Sequence, residues 1–346
     1  MRCSDNKSKR MFRRPATASA TPFQQNGAAL LIVLFIVALV SILATEMGTR
    51  LQLQVQRVQN IKDNNQAYWY GIGAEQYAKT AILDIYELDD GKVSLAQPWV
   101  EPLQFPVAGG MLDVELEDAQ NCFNLNALAK PEPSTTSTGT AVTEPPMVQA
   151  FTRLIQNLNG DDAYSAETFR DAVLDFLDDD MQTRNYGAED EYYRSLPNGY
   201  LAANTLLTDI SELRLVKGVN LQWLDKLLEQ TCLLPKNTRL QVNINTLTED
   251  HAPLLSALTG LTVSDAQNII SNRPEEGYDA VVDFLAEPIL DTVTLTTQQQ
   301  AWFTNTTEYF TLRTTARFNN AQFKMTALLF VTKGQQADVI QRRFGS

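Results

Sequence analysis

The sequence predicts an α+β protein in which a long amino-terminal helix packs on an antiparallel sheet and a large, mostly α-helical domain is inserted into the sheet region. Three observations predict it. A proline-free run, first uncharged and apolar but for Ser41 and then amphipathic, starts at Ala28. Alternating stretches occur near residue 112 and again from Glu308 onward, and helical patterning with polar caps fills most of the chain between them. With 346 residues, 44% of them hydrophobic, the chain is long enough to bury a substantial core.

The first 27 residues form a basic leader: Arg2, Lys7, Lys9, Arg10, Arg13 and Arg14 oppose only Asp5 before Gly27. The formal charge of the chain is −13, so loss of this segment would leave −18. A remainder that acidic repels phosphate backbones and anionic headgroups, and it suits solubility or the binding of divalent cations. Nucleic acid is therefore not an expected partner.

Residues 28–45 are the expected transmembrane helix. "AALLIVLFIVALVSILA" carries no charge and is followed by Glu46 and Arg50, which together with the basic leader fits a single span. By the positive-inside rule the leader stays cytoplasmic and the bulk of the chain lies beyond the membrane. "LATEMGTR" makes a weak cleavage site after the apolar run, so cleavage before it fits better. Leu51, Val55, Val58, Ile61, Tyr68, Ala74, Tyr77 and Ala81 keep helical spacing and predict that the helix continues to about Leu88.

A basic leader, a glycine before the cut and an apolar helix that runs on as an amphipathic spine make this region resemble the type IV pilin and pseudopilin families. That resemblance implies a pilin-like fold, a prepilin peptidase that cuts after Gly27, and N-methylation of Ala28. Most such proteins carry a glutamate at the fifth residue after the cut, and this chain has Ile32 there. A carboxylate in hydrocarbon is costly unless paired. In the family that glutamate is thought to pair with the amino terminus of the subunit assembled before it, so its loss is what a tip subunit would show.

The first strands of the sheet fall within residues 46–130: after Gly109-Gly110, Met111, Val114 and Leu116 alternate with acidic positions. Residues 131–147, rich in Pro, Ser and Thr, are expected to be a flexible loop. Residues 148–290 form the expected inserted α-domain. Residues 291–346 are expected to complete the sheet with a β-hairpin that turns at Asn319-Asn320.

Within the α-domain, Asp175, Asp178, Asp179 and Asp180 face Glu189, Asp190 and Glu191 across a loop containing Asn185 and Gly187. Charges this dense repel, and a hard cation with six to eight oxygen ligands would relieve the repulsion. Asp178, Asp180, Glu189 and Asp190 are the expected calcium ligands, with Asp175 as a capping or further ligating group; the bland alternative is a solvated acidic loop. Residues 242–285 resemble helix-hairpin-helix and sterile-alpha-motif-like modules, some of which bind phosphate through hairpin N–H groups. Here Arg273 stands alone among acids, which favours a packing role. His251 is the only histidine, and its setting suggests local capping; no catalytic triad, phosphate loop or dinucleotide fingerprint occurs, so no enzyme is expected.

Cys3 would leave with the leader, so the mature chain would keep Cys122 and Cys232. Export would favour a disulfide between them, worth about 3–5 kcal/mol, against the alternative of two buried thiols.

Ile32, "DAQNCFNLNAL" at 118–128, "DFLDDDMQTRNYGAEDEYY" at 175–193, "VNINTL" at 242–247 and the closing hairpin together resemble the K-type minor pseudopilins of type II secretion systems, the general secretion pathway protein K family. The resemblance covers nearly the whole mature chain. It implies an inner-membrane, single-pass protein with a periplasmic bulk, structural calcium, partners among the I-type and J-type minor pseudopilins, and a role at the pseudopilus tip in secretion across the outer membrane. The competing expectation is a membrane-tethered DNA-binding protein of a competence or type IV pilus system.

Overall fold

The computed structural model describes residues 28–130, 144–160, 162–332 and 335–345. Gly27 with the rest of the leader, and most of the 131–147 loop, lie outside the described residues. The chain divides into two units, one ending at Asn60 and one starting at Ile61. Helix α1 (Ala28–Leu88) supplies all that is described of the first unit; each residue from 28 to 60 is exposed, and the stretch is long and apolar enough to cross a membrane.

In the second unit α1 buries Ala67, Gly71, Ala74, Ala78, Ile82 and Ile85 against the sheet. Small residues at helical spacing let the helix backbone approach closely: a Cβ at Gly71 would lie 2.8 Å from the Phe323 ring. Tyr77, expected on the packed stripe, stays half exposed and meets the edge of the Phe105 ring.

Strands β1 (Leu103–Val107) and β2 (Gly110–Asp118) form a hairpin over Ala108-Gly109, where Gly109 takes φ +81°. Period-two alternation places Leu112, Val114 and Leu116 inside, so Met111 faces out, contrary to the expected pattern. The chain then leaves the sheet and returns in β7 (Tyr309–Phe318), β8 (Ala321–Thr332) and β9 (Gln336–Phe344). Among the described residues the main sheet has five antiparallel strands in the order β1-β2-β7-β8-β9. Asn319 sits at φ +49° in the turn between β7 and β8. The carboxy-terminal hairpin is thus extended by a third strand, β9; its "QADVIQRRF" is too polar to stand out because it is an edge strand.

The inserted part repeats one plan twice. In the first half β3 (Phe123–Asn124) leads through α2 (Pro146–Asn159), α3 (Ala163–Leu177), α4 (Asp190–Ser195) and α5 (Leu221–Gln230) to β4 (Thr231–Cys232), which pairs parallel with β3. In the second half β5 (Val242–Asn243) leads through α6 (Ala252–Thr259), α7 (Val263–Asn272), α8 (Val281–Leu285) and α9 (Thr297–Gln300) to β6 (Phe303–Thr304), again parallel to its opener.

The details match. α2 ends on left-handed Gly160 and α3 is capped by Asp162; α6 ends on left-handed Gly260 and α7 is capped by Thr262. Asn126 closes a two-bond pair with the backbone of Leu207 (2.9 and 3.1 Å), and Asn245 does the same with Tyr278 (2.8 and 2.9 Å). Both halves share one hydrophobic core that includes Phe151, Phe169, Leu213, Leu255 and Phe284. The disulfide Cys122–Cys232, with Cα atoms 5.8 Å apart, joins the two ends of the first half.

The joint between insertion and sheet is polar. Ala119 N–H donates to Tyr309 C=O at 2.9 Å, and the buried Asp118 carboxylate accepts from Gln120 N–H, Thr307 Oγ1, Asn243 Nδ2 and Thr246 Oγ1 at 2.5–3.0 Å. Burial pushes the Asp118 carboxyl up, and these four donors oppose that shift.

Candidate metal centre

The two halves of the insertion differ most between the third element and the Asn-held backbone residue. The second half passes from Asn272 to Tyr278 directly, whereas the first carries the acidic loop and α4 between Leu177 and Leu207. α3 ends at Asp178 because the chain turns extended there, and α4 starts after Glu189, whose side chain does not cap its helix.

Asp178, Asp180 and Glu189 each offer a carboxylate oxygen to one point, with these atoms within 4.8 Å of one another. Glu189 is 4% exposed, yet neither of its carboxylate oxygens has a protein hydrogen-bond partner, and Asp178 Oδ1 is equally buried and unpaired. Buried carboxylates without donors are costly. Burial first, and then the charges of Asp175, Asp178, Asp180 and Asp190, push the Glu189 carboxyl up to about 7.

The remaining expected ligands, Asp175 and Asp190, are engaged by other groups of the chain. Asp190 pairs with Arg194 at 2.9 Å and accepts from Ala202 N–H at 3.1 Å, so it ties α4 to the following segment. Asp175 is fully buried and accepts from the backbone N–H of Arg184 and from its guanidinium at 2.6 Å. Its role is to pin the loop. A Cβ at Gly187 would come within 1.9 Å of Asp175 Oδ2, so only glycine lets the loop close over it.

Cations of the chain itself hold this loop. Lys217 Nζ donates to the carbonyls of Tyr186 and Gly187 at 3.1 and 2.8 Å and lies 5.1 Å from the centroid of the Tyr192 ring. Arg184 is the one base inside the acidic run, and Lys217 lies well outside it, so a pattern of acids alone marks neither.

The donor set fits calcium. All three side chains offer hard oxygen; a calcium ion binds ligands at about 2.3–2.6 Å, so oxygens on opposite sides of it stand up to about 5 Å apart. The orphaned oxygens of Glu189 and Asp178 are what such an ion would occupy. Backbone carbonyls and water would complete its shell.

Elsewhere, His251 Nδ1 accepts from Thr248 N–H at 3.1 Å in a helix-entry cap, and burial lowers its pKa. Arg273 donates to the carbonyls of Ile244 and Leu247, both at 2.8 Å, so its charge is spent inside the second half of the insertion. Ile32 lies on the exposed apolar part of α1.

Two family models match the chain, over residues 121–236 and 242–304, both described as "Type II secretion system (T2SS), protein K". The type II secretion system protein K of Klebsiella pneumoniae is 38% identical over 326 residues, covering 93% of this chain and 97% of the relative. That of Pectobacterium carotovorum is 34% identical over 325 residues, with the same coverages. In the crystal structure of the GspK-GspI-GspJ complex from enterotoxigenic Escherichia coli, a 34% identical chain superposes with a TM-score of 0.71 over 84% of this chain and 99% of that one.

Proposed function

Because the chain belongs to the type II secretion system protein K family and is thus a minor pseudopilin, we propose that it forms the tip of the pseudopilus with I-type and J-type partners, initiating or capping the filament that drives secretion across the outer membrane. The observation that carries this is the likeness to a chain solved together with GspI and GspJ. The prepilin peptidase cuts after Gly27 and N-methylates Ala28. The apolar helix then anchors the subunit in the inner membrane, with the bulk of the chain in the periplasm, where an oxidising environment maintains the Cys122–Cys232 bond.

Two features support a tip position. Ile32 supplies no carboxylate for a subunit ahead, and residues 119–308 add a bulky insertion to the sheet that a further layer of subunits above would meet. On the stretch of α1 from Ile61 to Leu88, Trp69 is 63% exposed and Gly73 has open space beside it, an apolar surface suited to a neighbouring spine helix.

Periplasmic fragments starting near residue 51 should co-purify with the corresponding fragments of the I-type and J-type subunits. Trp69→Ala should weaken that association about tenfold or more, read by titration calorimetry. Failure of the unmodified fragments to associate overturns the assignment of partners, and an unaffected Trp69→Ala complex overturns the role of this helix face.

Calcium held by Asp178, Asp180 and Glu189 serves structure, closing the acidic loop. Glu189 titrates near 7 in the folded, calcium-free protein and near 4.5 when unfolded, so its protonation contributes stability that is full below about pH 4.5 and lost as pH rises through 7. Calcium competes with that proton. The calcium-induced rise in melting temperature should therefore be large at about pH 7.5 and small at about pH 5.5, and Glu189→Gln should remove most of it. No calcium shift at either pH would exclude the site, and equal shifts at both would exclude Glu189 as a ligand.

A further inference from the structure

Arg184 occupies an unusual place for a cation beside a candidate cation site. Its Nη1 donates to Asp175 Oδ1 at 2.6 Å and to Asp178 Oδ2 at 2.5 Å, while its backbone N–H also reaches Asp175. Asp175 lies in the last turn of α3 and is wholly buried, so the bridge is fastened to the helix at one end. At the other end it takes one oxygen of Asp178 and leaves Oδ1 buried and without a protein partner, next to the unpartnered, 96% buried Glu189 carboxylate.

We infer that Arg184 is a positioning residue for divalent-cation binding: by holding Asp178 through Oδ2 it aims Oδ1 into the cluster and restricts Asp178 to a single ligating oxygen. The inference rests on the calcium reading of the cluster. Two opposed effects are at stake, and they differ in sign. A guanidinium near a divalent ion repels it, so removal of a mere bystander charge would tighten binding. Removal of a group that orients a ligand weakens binding, with losses of about 10–100-fold common for such outer-shell partners.

The test is calcium titration calorimetry on the periplasmic portion carrying an intact insertion, for the unmodified protein, Arg184→Gln, Arg184→Lys, Asp178→Asn and the Arg184→Gln/Asp178→Asn pair. Arg184→Gln should raise the calcium Kd about 10–100-fold, and Arg184→Lys, which keeps a donor and the charge, should recover part of the loss. Because Arg184 acts through Asp178, its substitution should cost little more once Asp178→Asn is present, whereas a general structural role would give additive losses. The number of waters on bound terbium, from luminescence lifetimes in H₂O and D₂O, should change in Arg184→Gln as Asp178 leaves its fixed pose. Unchanged or tighter binding by Arg184→Gln, or additive losses in the pair, overturns the inference. If Arg184→Gln fails to fold, Arg184→Lys in the same two backgrounds carries the same comparison. Absence of calcium binding by the unmodified protein instead removes the site itself.

Discussion

Asp118→Asn is expected to lower the unfolding free energy by about 3–5 kcal/mol, although it changes no volume. Each oxygen of Asp118 receives two donors: Gln120 N–H and the Thr307 hydroxyl on Oδ1, the Asn243 amide and the Thr246 hydroxyl on Oδ2. An asparagine must place its NH₂ where one of those oxygens stands; the threonine hydroxyl there can turn to accept, but the Gln120 N–H or the Asn243 amide then faces a donor in a buried site. Alanine would be gentler on the two hydroxyls, since Thr246 and Thr307 have second acceptors in the Asn243 carbonyl and Gln120 Oε1, but it would leave the Gln120 N–H and one hydrogen of the Asn243 amide without the acceptor they have in Asp118. Chemical denaturation of the periplasmic portion checks this. A cost below about 1 kcal/mol for the asparagine variant would mean that the joint is not held by this carboxylate.

Arg342→Ala is the second substitution of large effect, at about 3 kcal/mol. Glu75 on α1 is fully buried, and Arg342 on β9 meets both its oxygens at 2.6 and 2.9 Å. Taking away the arginine strands a charge in the protein interior, which usually costs about 3–5 kcal/mol; Lys79 at 3.7 Å and the partial exposure of Arg342 place this pair at the lower end. The reverse change, Glu75→Gln, should cost far less because the Arg342 side chain is 41% exposed and can turn to water. Replacing both by methionine should recover most of the loss. Denaturation midpoints of the three variants decide it, and equal costs for Arg342→Ala and Glu75→Gln would count against the buried-charge explanation.

Much of the architecture was legible in the sequence. The spine helix extends to Leu88 as its spacing required, and the Asn319-Asn320 turn sits between two strands. β9 was hidden because an edge strand needs little apolar alternation, and Met111 was misplaced because two apolar neighbours, Met111 and Leu112, compete for one inward position. The acidic run pointed to the right loop but could not say which carboxylates converge. That depends on Arg184, Arg194 and the Ala202 N–H, which occupy the oxygens of Asp175 and Asp190 through contacts up to twelve residues away.

The clearest missed signal lies in two segments whose likeness goes unremarked when each is read as a separate motif. "FNLNAL" and "VNINTL" are the same opening, with Asn124 and Asn126 in one and Asn243 and Asn245 in the other. The first asparagine of each accepts from the backbone of the second, and the second fixes a distant backbone residue. The repeat is thus written in the sequence as a self-similarity between the two halves of the insertion.

The closeness of the two ends of the insertion bears on the order in which the chain can assemble as it emerges amino terminus first. Until β7 is present, the β1-β2 hairpin carries an open edge, and its partner arrives only after a detour of 189 residues between Asp118 and Thr307. Closing a flexible loop of that length costs about 4–5 kcal/mol in chain entropy. Once the twice-repeated insertion has folded, Asp118 and Thr307 already stand side by side, and the late strands meet the early ones as if joined by a short turn. The insertion thus makes a long-range sheet kinetically local, so that the part that enlarges the subunit also shortens the path to its completion.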